Sequence, residues 1–397
     1  MIIKLKDKIH CTGCSACCDI CPVNAITMQS NNEGFLYPNI NEDICIKCGK
    51  CMKICNKTND KEIFAKPVKV YAAINKDKEK LLKSSSGGLF SVIADYILSQ
   101  NGMIAGCIFD ENLIARHIVT DKPDLINKMR GSKYVQSDTT HVYQRIASLL
   151  REGKKILFTG TPCQVAGLKA YLGHIPENLI TIDLVCHGVP SPGLLEKHIK
   201  WRQSKLKGKI IGLSFRNKSR INKGTYYLMK LSCENKTKYI YSWQDPYFQA
   251  FLQGQDLRES CYTCPYAKTE RVGDITLADY WTASDLHPSL NCKNGVSLLL
   301  INTINGQKIL SCVKNKLDLI PSFIDEAVKS QGNLIHPCSR PQIRDSIFQD
   351  IDNIGYDKWA NSYFYSSGYI KSKILCSIGS CITPEFRKKL KRIISSK

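Results

Sequence analysis

The stretch CTGCSACCDICP, Cys11 to Pro22, sets four cysteines in the order C-x2-C-x2-C-x3-C-P. CIKCGKCMKIC, Cys45 to Cys55, repeats the spacing with Asn56 in place of the proline. Three thiolates on a tight loop can cap three corners of a cubane, while the fourth, three residues further on, reaches across to a second cluster. The spacing assigns Cys11, Cys14, Cys17 and Cys55 to one [4Fe-4S] cluster and Cys45, Cys48, Cys51 and Cys21 to another. Zinc knuckles would use alternate C-x2-C pairs, and two complete four-cysteine runs in tandem argue against them. Cys18 is an extra thiol inside the first run, placed to compete with Cys17.

Twenty cysteines in 397 residues favour metal ligation, because disulfide frameworks belong to short domains in oxidising compartments. No apolar run approaches the ~18 residues of a membrane span, and the start MIIKLKDKIHC lacks a secretory core, so a cytoplasmic location is expected. The net charge of +21, from 56 Lys and Arg against 35 Asp and Glu, implies an anionic partner. The basic residues are spread out and no helix-turn-helix or RNA-binding signature occurs, so no nucleic-acid partner is expected.

Beyond Cys55 the polar stretch NKTNDKEIFAKPVKV reads as a linker punctuated by Pro67, with a new domain beginning near Val68. Strand VKVYAAI, helix LFSVIADYILSQ, strand GMIAGCIF, helix TTHVYQRIASLLREG and strand KKILFTG then follow in order. That alternation argues for a mixed sheet covered by helices. SSSGGLF, Ser84 to Phe90, lies at a strand-to-helix connection where backbone N–H groups and the positive helix end suit a phosphate, although such a turn also serves as a plain helix cap. GVSLLLINTINGQKIL reads as a strand hairpin and a helix.

ILFTGTPCQVAGLKAYL carries Cys163 in a tight turn after a strand, and LITIDLVCHGVPSP carries Cys186 and His187 at the equivalent place. In open α/β sheets the ligand crevice lies beyond the carboxyl ends of the strands. Cys261 and Cys264 have the C-x2-C spacing of a metal site or a redox dithiol. The four either converge on a third cluster or serve separately, as small core residues and a dithiol.

SSSGG, RGSKYVQSD, LFTGTPCQVAGLKAYL, DLVCHGVPSP, SFRNK and LRESCYTCPYA, with the later DIT and DYW, together resemble the coenzyme F420-reducing hydrogenase/dehydrogenase beta-subunit family, fused to an N-terminal two-cluster ferredoxin module, over residues 5–290. The resemblance implies an α+β chain: a bacterial-type ferredoxin domain at 1–60, then a mixed α/β flavin-binding domain. Its N-terminal lobe spans 68–150, a C-terminal lobe with the third cluster spans 151–350, and a basic extension spans 351–397. It also implies an iron-sulfur flavoprotein oxidoreductase that passes electrons between ferredoxin-type clusters and FAD, and on to coenzyme F420 or another small organic acceptor. An electron-relay or docking subunit serving a partner redox enzyme is the alternative. Relatives with different acceptors share the fold, so the fold does not name the acceptor.

Carried over by motif, the third [4Fe-4S] cluster falls on Cys163, Cys186, Cys261 and Cys264, and the flavin phosphates on Ser85, Ser86, Gly87 and Gly88. The flavin pocket falls on Lys133, Tyr134, Gln136 and Thr161. The family commonly has glycine before the Asp and after the Trp of DYW; here Ala278 and Thr282 stand there and add bulk. His187 and Asp279 are the candidate catalytic proton donors, and Arg216, Arg258 and Arg271 are candidates for an anionic substrate or the FAD phosphates. At the end of the chain, TPEFRKKLKRIISSK reads as a basic amphipathic helix capped by Thr383, suited to packing on its own domain or to peripheral contact with an anionic membrane.

Overall fold

The computed structural model describes residues 5–58, 61–218 and 228–364; the expected C-terminal basic helix lies outside them. At the N-terminus β1 (Ile26–Ser30) and β2 (Leu36–Ile40) pair as an antiparallel hairpin beside the two cysteine runs. The next strands are β3 (Lys69–Asn75), β4 (Met103–Phe109), β5 (Ala115–Thr120), β6 (Ile156–Gly160) and β7 (Leu179–Leu184). β8 (Ile210–Ser214), β9 (Leu228–Cys233) and β10 (Thr237–Tyr241) form a separate antiparallel sheet. β11 (Ile275–Asp279), β12 (Ser297–Ile301) and β13 (Leu317–Ser322) return to the main sheet.

The main sheet has the order β13-β3-β12-β11-β7-β6-β4-β5. β4, β6, β7 and β11 run parallel and the remaining pairs are antiparallel, giving the mixed α/β sheet expected from the alternation of elements. Successive side chains of a strand point to opposite faces, and both faces here are covered. Ile104 and Leu157 pack with Val92, Ile93 and Ile97 of the helix Leu89–Ser99, while the intervening Ala105 and Phe158 pack with Ile146 and Val165 of the opposite helix layer. GVSLLLINTINGQKIL is not a hairpin: β12 pairs with the distant β11 and β3, and Thr303 at once caps the helix Ile304–Val313 by accepting from the Gly306 N–H.

The N-terminal module is seated on the sheet domain by buried polar contacts. Asp19, between Cys17 and Cys21, accepts from the N–H groups of His141 (2.7 Å) and Tyr143 (3.0 Å), so a carboxylate of the module caps the helix Val142–Arg151. The buried Arg344 grips both carboxylate oxygens of Glu33 at 2.9 and 2.7 Å. Gly34, at φ +83°, packs so closely that a Cβ would lie 2.5 Å from the Gly193 Cα. A Gly34→Ala variant therefore meets both a left-handed backbone and a clash, and is expected to lose more than about 1 kcal/mol in thermal unfolding.

Candidate functional site

The cysteines fall into three sets. Cys45, Cys48, Cys51 and Cys21 line one small cavity together with Ile26 and Ile40, as the crossed assignment requires. Burial, with the charges of Cys11 and Cys55 added, pushes the Cys14 thiol up to about 12; Cys17 is raised in the same way by burial and by Cys14, Cys11 and Cys55. Burial, then the charges of Cys163 and Cys264, pushes Cys186 up to about 12, while Cys261 is raised by burial and by Cys186, Cys264 and Cys163. Buried thiolates this close are costly on their own, and metal binding is what deprotonates and pairs such a group. Among the described residues no three metal-ligating side chains converge on a single ion, whereas the ligands of a polynuclear cluster stand around it.

Donors also face the sulfurs. The Ala25 N–H points at Cys21 Sγ (3.2 Å) and an Arg258 N–H at Cys11 Sγ (3.5 Å). Cys18 donates to the Ile26 carbonyl at 3.0 Å from a buried position. The first and third sets adjoin, since Cys14 feels the charge of Cys163 and a Cβ on Gly167, one turn beyond Cys163, would lie 3.0 Å from Cys14 Sγ.

A cavity of about 450 Å³ opens beyond the carboxyl ends of β6, β7 and β11. Within the usual range for a cofactor site, it is lined by Ser85, Ser86 and Gly88, by Lys133, Tyr134 and Gln136, by Thr161, and by Cys163 and Cys186 of the third set. Thr12 and Gly13, between Cys11 and Cys14, reach the same wall. His187 and Asp279 line it too, and Ala278 adds its methyl there.

Gly87 does not line the cavity: its N–H donates to Ser297 Oγ at 2.9 Å, and a Cβ would lie 2.3 Å from the Ala73 carbonyl, so it seats the loop on β3. Gly88, at φ +81°, is the N-cap of the helix Leu89–Ser99, whose first N–H groups have no partner within the helix. Lys133 Nζ is spent on four backbone carbonyls, Lys128, Met129, Arg130 and Gly131, at 2.7 to 3.1 Å, closing the C-terminal end of the helix Pro123–Met129. Burial pulls its ammonium down to about 8. Tyr134 is stacked against Phe251 (4.6 Å) and Phe248 (5.3 Å).

Two donors at this wall lack partners: the buried Nε2 of Gln136 and the Nε of Arg130, which opens the RGSKYVQSD segment. Ser85 Oγ accepts from the Ser132 N–H at 2.8 Å, joining that segment to SSSGG. Lys218, the last residue of SFRNK, donates to the carbonyls of Ser86 (2.5 Å) and Leu81 (3.0 Å) and so fixes the serine loop from behind. Sequence reasoning did not single out Arg130 or Lys218, although both stand in motifs it quoted.

Of the candidate proton donors, Asp279 is gripped through both oxygens by Arg216, whose guanidinium also lies over the Trp281 ring at 5.2 Å. His187 is hydrogen-bonded through Nε2 to the Phe251 carbonyl at 3.2 Å, and burial lowers its pKa. Arg216, Arg258 and Arg271 are all absent from the cavity wall, and the latter two face the protein interior. Arg258 donates to the carbonyls of Cys11 (2.7 Å) and Leu36 (2.9 Å) and lies over the Tyr37 ring. Arg271 donates to the carbonyls of Tyr266, Lys268 and Leu184 and pairs with Asp183.

His117, also on the wall, bonds the Thr159 carbonyl and Ser137 Oγ, each at 3.0 Å, and burial holds it down at about 4. The folded chain therefore binds fewer protons there than the unfolded chain. Its stability should fall as pH drops from about 6.5 toward 4, and a His117→Gln variant should lose that part of the acid sensitivity in pH-dependent denaturation.

Residues 153–322 match the family model for the C terminus of the beta subunit of coenzyme F420 hydrogenase/dehydrogenase, and residues 10–59 match the 4Fe-4S dicluster domain. Residues 153–322 thus resemble the C-terminal domain of that beta subunit, and residues 10–59 a dicluster ferredoxin-type domain. The N-terminal domain of this beta-subunit relative is a 4Fe-4S dicluster domain. The F subunit of F(420)H(2) dehydrogenase from Methanosarcina mazei is 22% identical over 189 residues, 44% of this chain and 53% of that protein. The chain thus spans about half the length of that curated relative. The F420-reducing [NiFe] hydrogenase complex from Methanosarcina barkeri, in a xenon-derivatised structure, gives a TM-score of 0.47 at 18% identity, covering 75% of this chain and 97% of that one. Among the described residues no helix is long and apolar enough to cross a membrane.

Proposed function

We propose that this beta-subunit relative is an iron-sulfur flavoprotein oxidoreductase. Two [4Fe-4S] clusters sit in its N-terminal module, a third is held by Cys163, Cys186, Cys261 and Cys264, and FAD fills the cavity beside the third set, with a small organic acceptor at the cavity's open side. The observation that carries the reading is the cavity wall. The serine-glycine loop, the RGSKYVQSD segment, two cysteines of the third set and the Thr12–Gly13 loop meet around one volume, and two of the residues lining it, Arg130 and Gln136, carry a buried donor without a partner.

When bound, a flavin supplies the conversion between single-electron and hydride chemistry. The chain's own contribution is positional. Ser85, Ser86 and the helix end at Gly88 would hold the phosphates with Arg130, Gln136 would donate to the flavin ring system, and Tyr134 and Thr161 would bound the pocket. Lys133 and Gly87 build the walls rather than touch the cofactor. Arg216 holds both oxygens of Asp279 at the cavity wall beside Trp281, which favours Asp279 as a positioning group and His187 as the proton donor. Coenzyme F420, after which the relatives are named, is one candidate acceptor, and Ala278 on the wall narrows the pocket for it.

The test is FAD titration of the reconstituted protein against two variants. Gln136→Leu removes one hydrogen bond and should weaken FAD binding by up to about tenfold. Arg130→Gln, which removes a charge-assisted contact, should weaken it more. Unchanged affinity in both would reject the cavity as the flavin site. A second reading, a relay subunit whose flavin is reoxidised by a partner protein, is favoured by the relative's being a subunit. Steady turnover of the isolated chain with a small acceptor would exclude it.

A further inference from the structure

The cavity lined by Cys21, Cys45, Cys48 and Cys51 lies in the part of the module that carries the most exposed apolar side chains. Cys48 is solvent-exposed, and around it Ile46 is 61% exposed, Ile44 48% and Val23 37%. Pro22, Val23, Ile46, Lys47 and Lys50 bound this cavity on its outer side. An isoleucine more than half exposed beside an exposed ligand thiol is not explained by packing, and a contiguous apolar patch rimmed by polar groups marks an interaction surface. The rim is basic: Lys47, Lys50 and Lys53 are all exposed, and the acidic residues there are Glu42 and Asp43 at its start. The whole chain adds a net charge of +21.

We infer that this face docks an acidic electron-carrier protein whose own redox centre is ringed by carboxylates. The long-range field would steer the carrier, Lys47, Lys50 and Lys53 would fix its orientation, and Ile44, Ile46 and Val23 would exclude water from the small contact. Redox encounters of this kind bury little area and depend strongly on salt. One electron then leaves the reduced carrier, which is oxidised, and reduces the cluster held by Cys21, Cys45, Cys48 and Cys51 by one; no bond and no proton moves. The inference rests on those four thiols holding a cluster, and the iron content of each preparation reports that separately.

The experiment measures equilibrium binding of an oxidised, acidic plant-type [2Fe–2S] ferredoxin to the reconstituted full chain by calorimetry at low and high salt, with iron counted in every sample. Binding should weaken steeply with salt. Ile46→Asp, and the pair Lys47→Glu with Lys50→Glu, should each weaken it about tenfold or more. Glu42→Lys with Asp43→Lys lies before the ligand run and should tighten it, which decides the matter if the other variants lose iron. Lys314→Glu, in the turn before β13, should leave it unchanged. No binding by a fully loaded protein, salt-independent binding, or equal affinity across the fully loaded variants would overturn the inference.

Discussion

Cys261→Ser is expected to lose about four of about twelve irons while keeping the eight of the N-terminal module. The reason is the way the third set is assembled. Cys163 follows β6, Cys186 follows β7, and Cys261 and Cys264 lie in the segment before β11, so four thiols from three separate places meet where, after burial, the charges of Cys163 and Cys264 raise Cys186 and those of Cys186, Cys264 and Cys163 raise Cys261. A serine at position 261 removes one thiol of the third set without touching the two local runs near the N-terminus. The expected consequence is a chain whose N-terminal clusters are still reduced by dithionite while flavin reduction through them slows by at least about a hundredfold. Iron analysis with anaerobic stopped-flow spectroscopy reads both. Full iron content in the variant would mean that Cys261 and Cys264 serve as structural or dithiol cysteines.

Arg258→Met should be the most damaging of the arginine substitutions, and for a reason unrelated to phosphate. The buried guanidinium donates to the carbonyls of Cys11 and Leu36, to Gln136 Oε1 at 3.2 Å and to Cys11 Sγ at 3.5 Å. Methionine fills similar space but removes these donors, the Cys11 carbonyl's among them, at the junction of module and sheet domain. A buried acceptor without a donor costs about 1–3 kcal/mol, so the variant should lose at least about 3 kcal/mol of stability. Donors to cluster sulfurs tune the reduction potential, so the first cluster should also shift to a lower potential in a redox titration followed by electron paramagnetic resonance. Loss of FAD with stability and potential unchanged would restore Arg258 to the phosphate-binding role that its position in the sequence suggested.

The placement of Cys21 beside Cys45, Cys48 and Cys51 was legible because cysteine spacing within a loop is a local property. The alternation of strands and helices from Val68 onward was legible for the same reason, since periodicity reports which face of an element is buried. The convergence of Cys163, Cys186, Cys261 and Cys264 was visible only through the resemblance, because nothing local says that β7 and β11 are neighbours in the sheet. Side-chain direction was not legible at all. Lys133 and Arg258 stand in the right segments, yet one closes a helix end and the other grips the ferredoxin loop. Gly87 and Gly88 look alike in sequence and split between packing and cavity. The partners that decide these outcomes, Ser297, Leu36 and the carbonyls after Asn127, come from elsewhere in the chain or depend on where a helix stops.

Iron, sulfide and flavin content per chain, after anaerobic purification and cluster reconstitution, tests the central claim most directly. Three clusters beside a filled cavity predict about twelve irons, as many sulfides, and one FAD. About eight irons with no flavin would contradict it, leaving an N-terminal dicluster module attached to a sheet domain whose cavity serves something else.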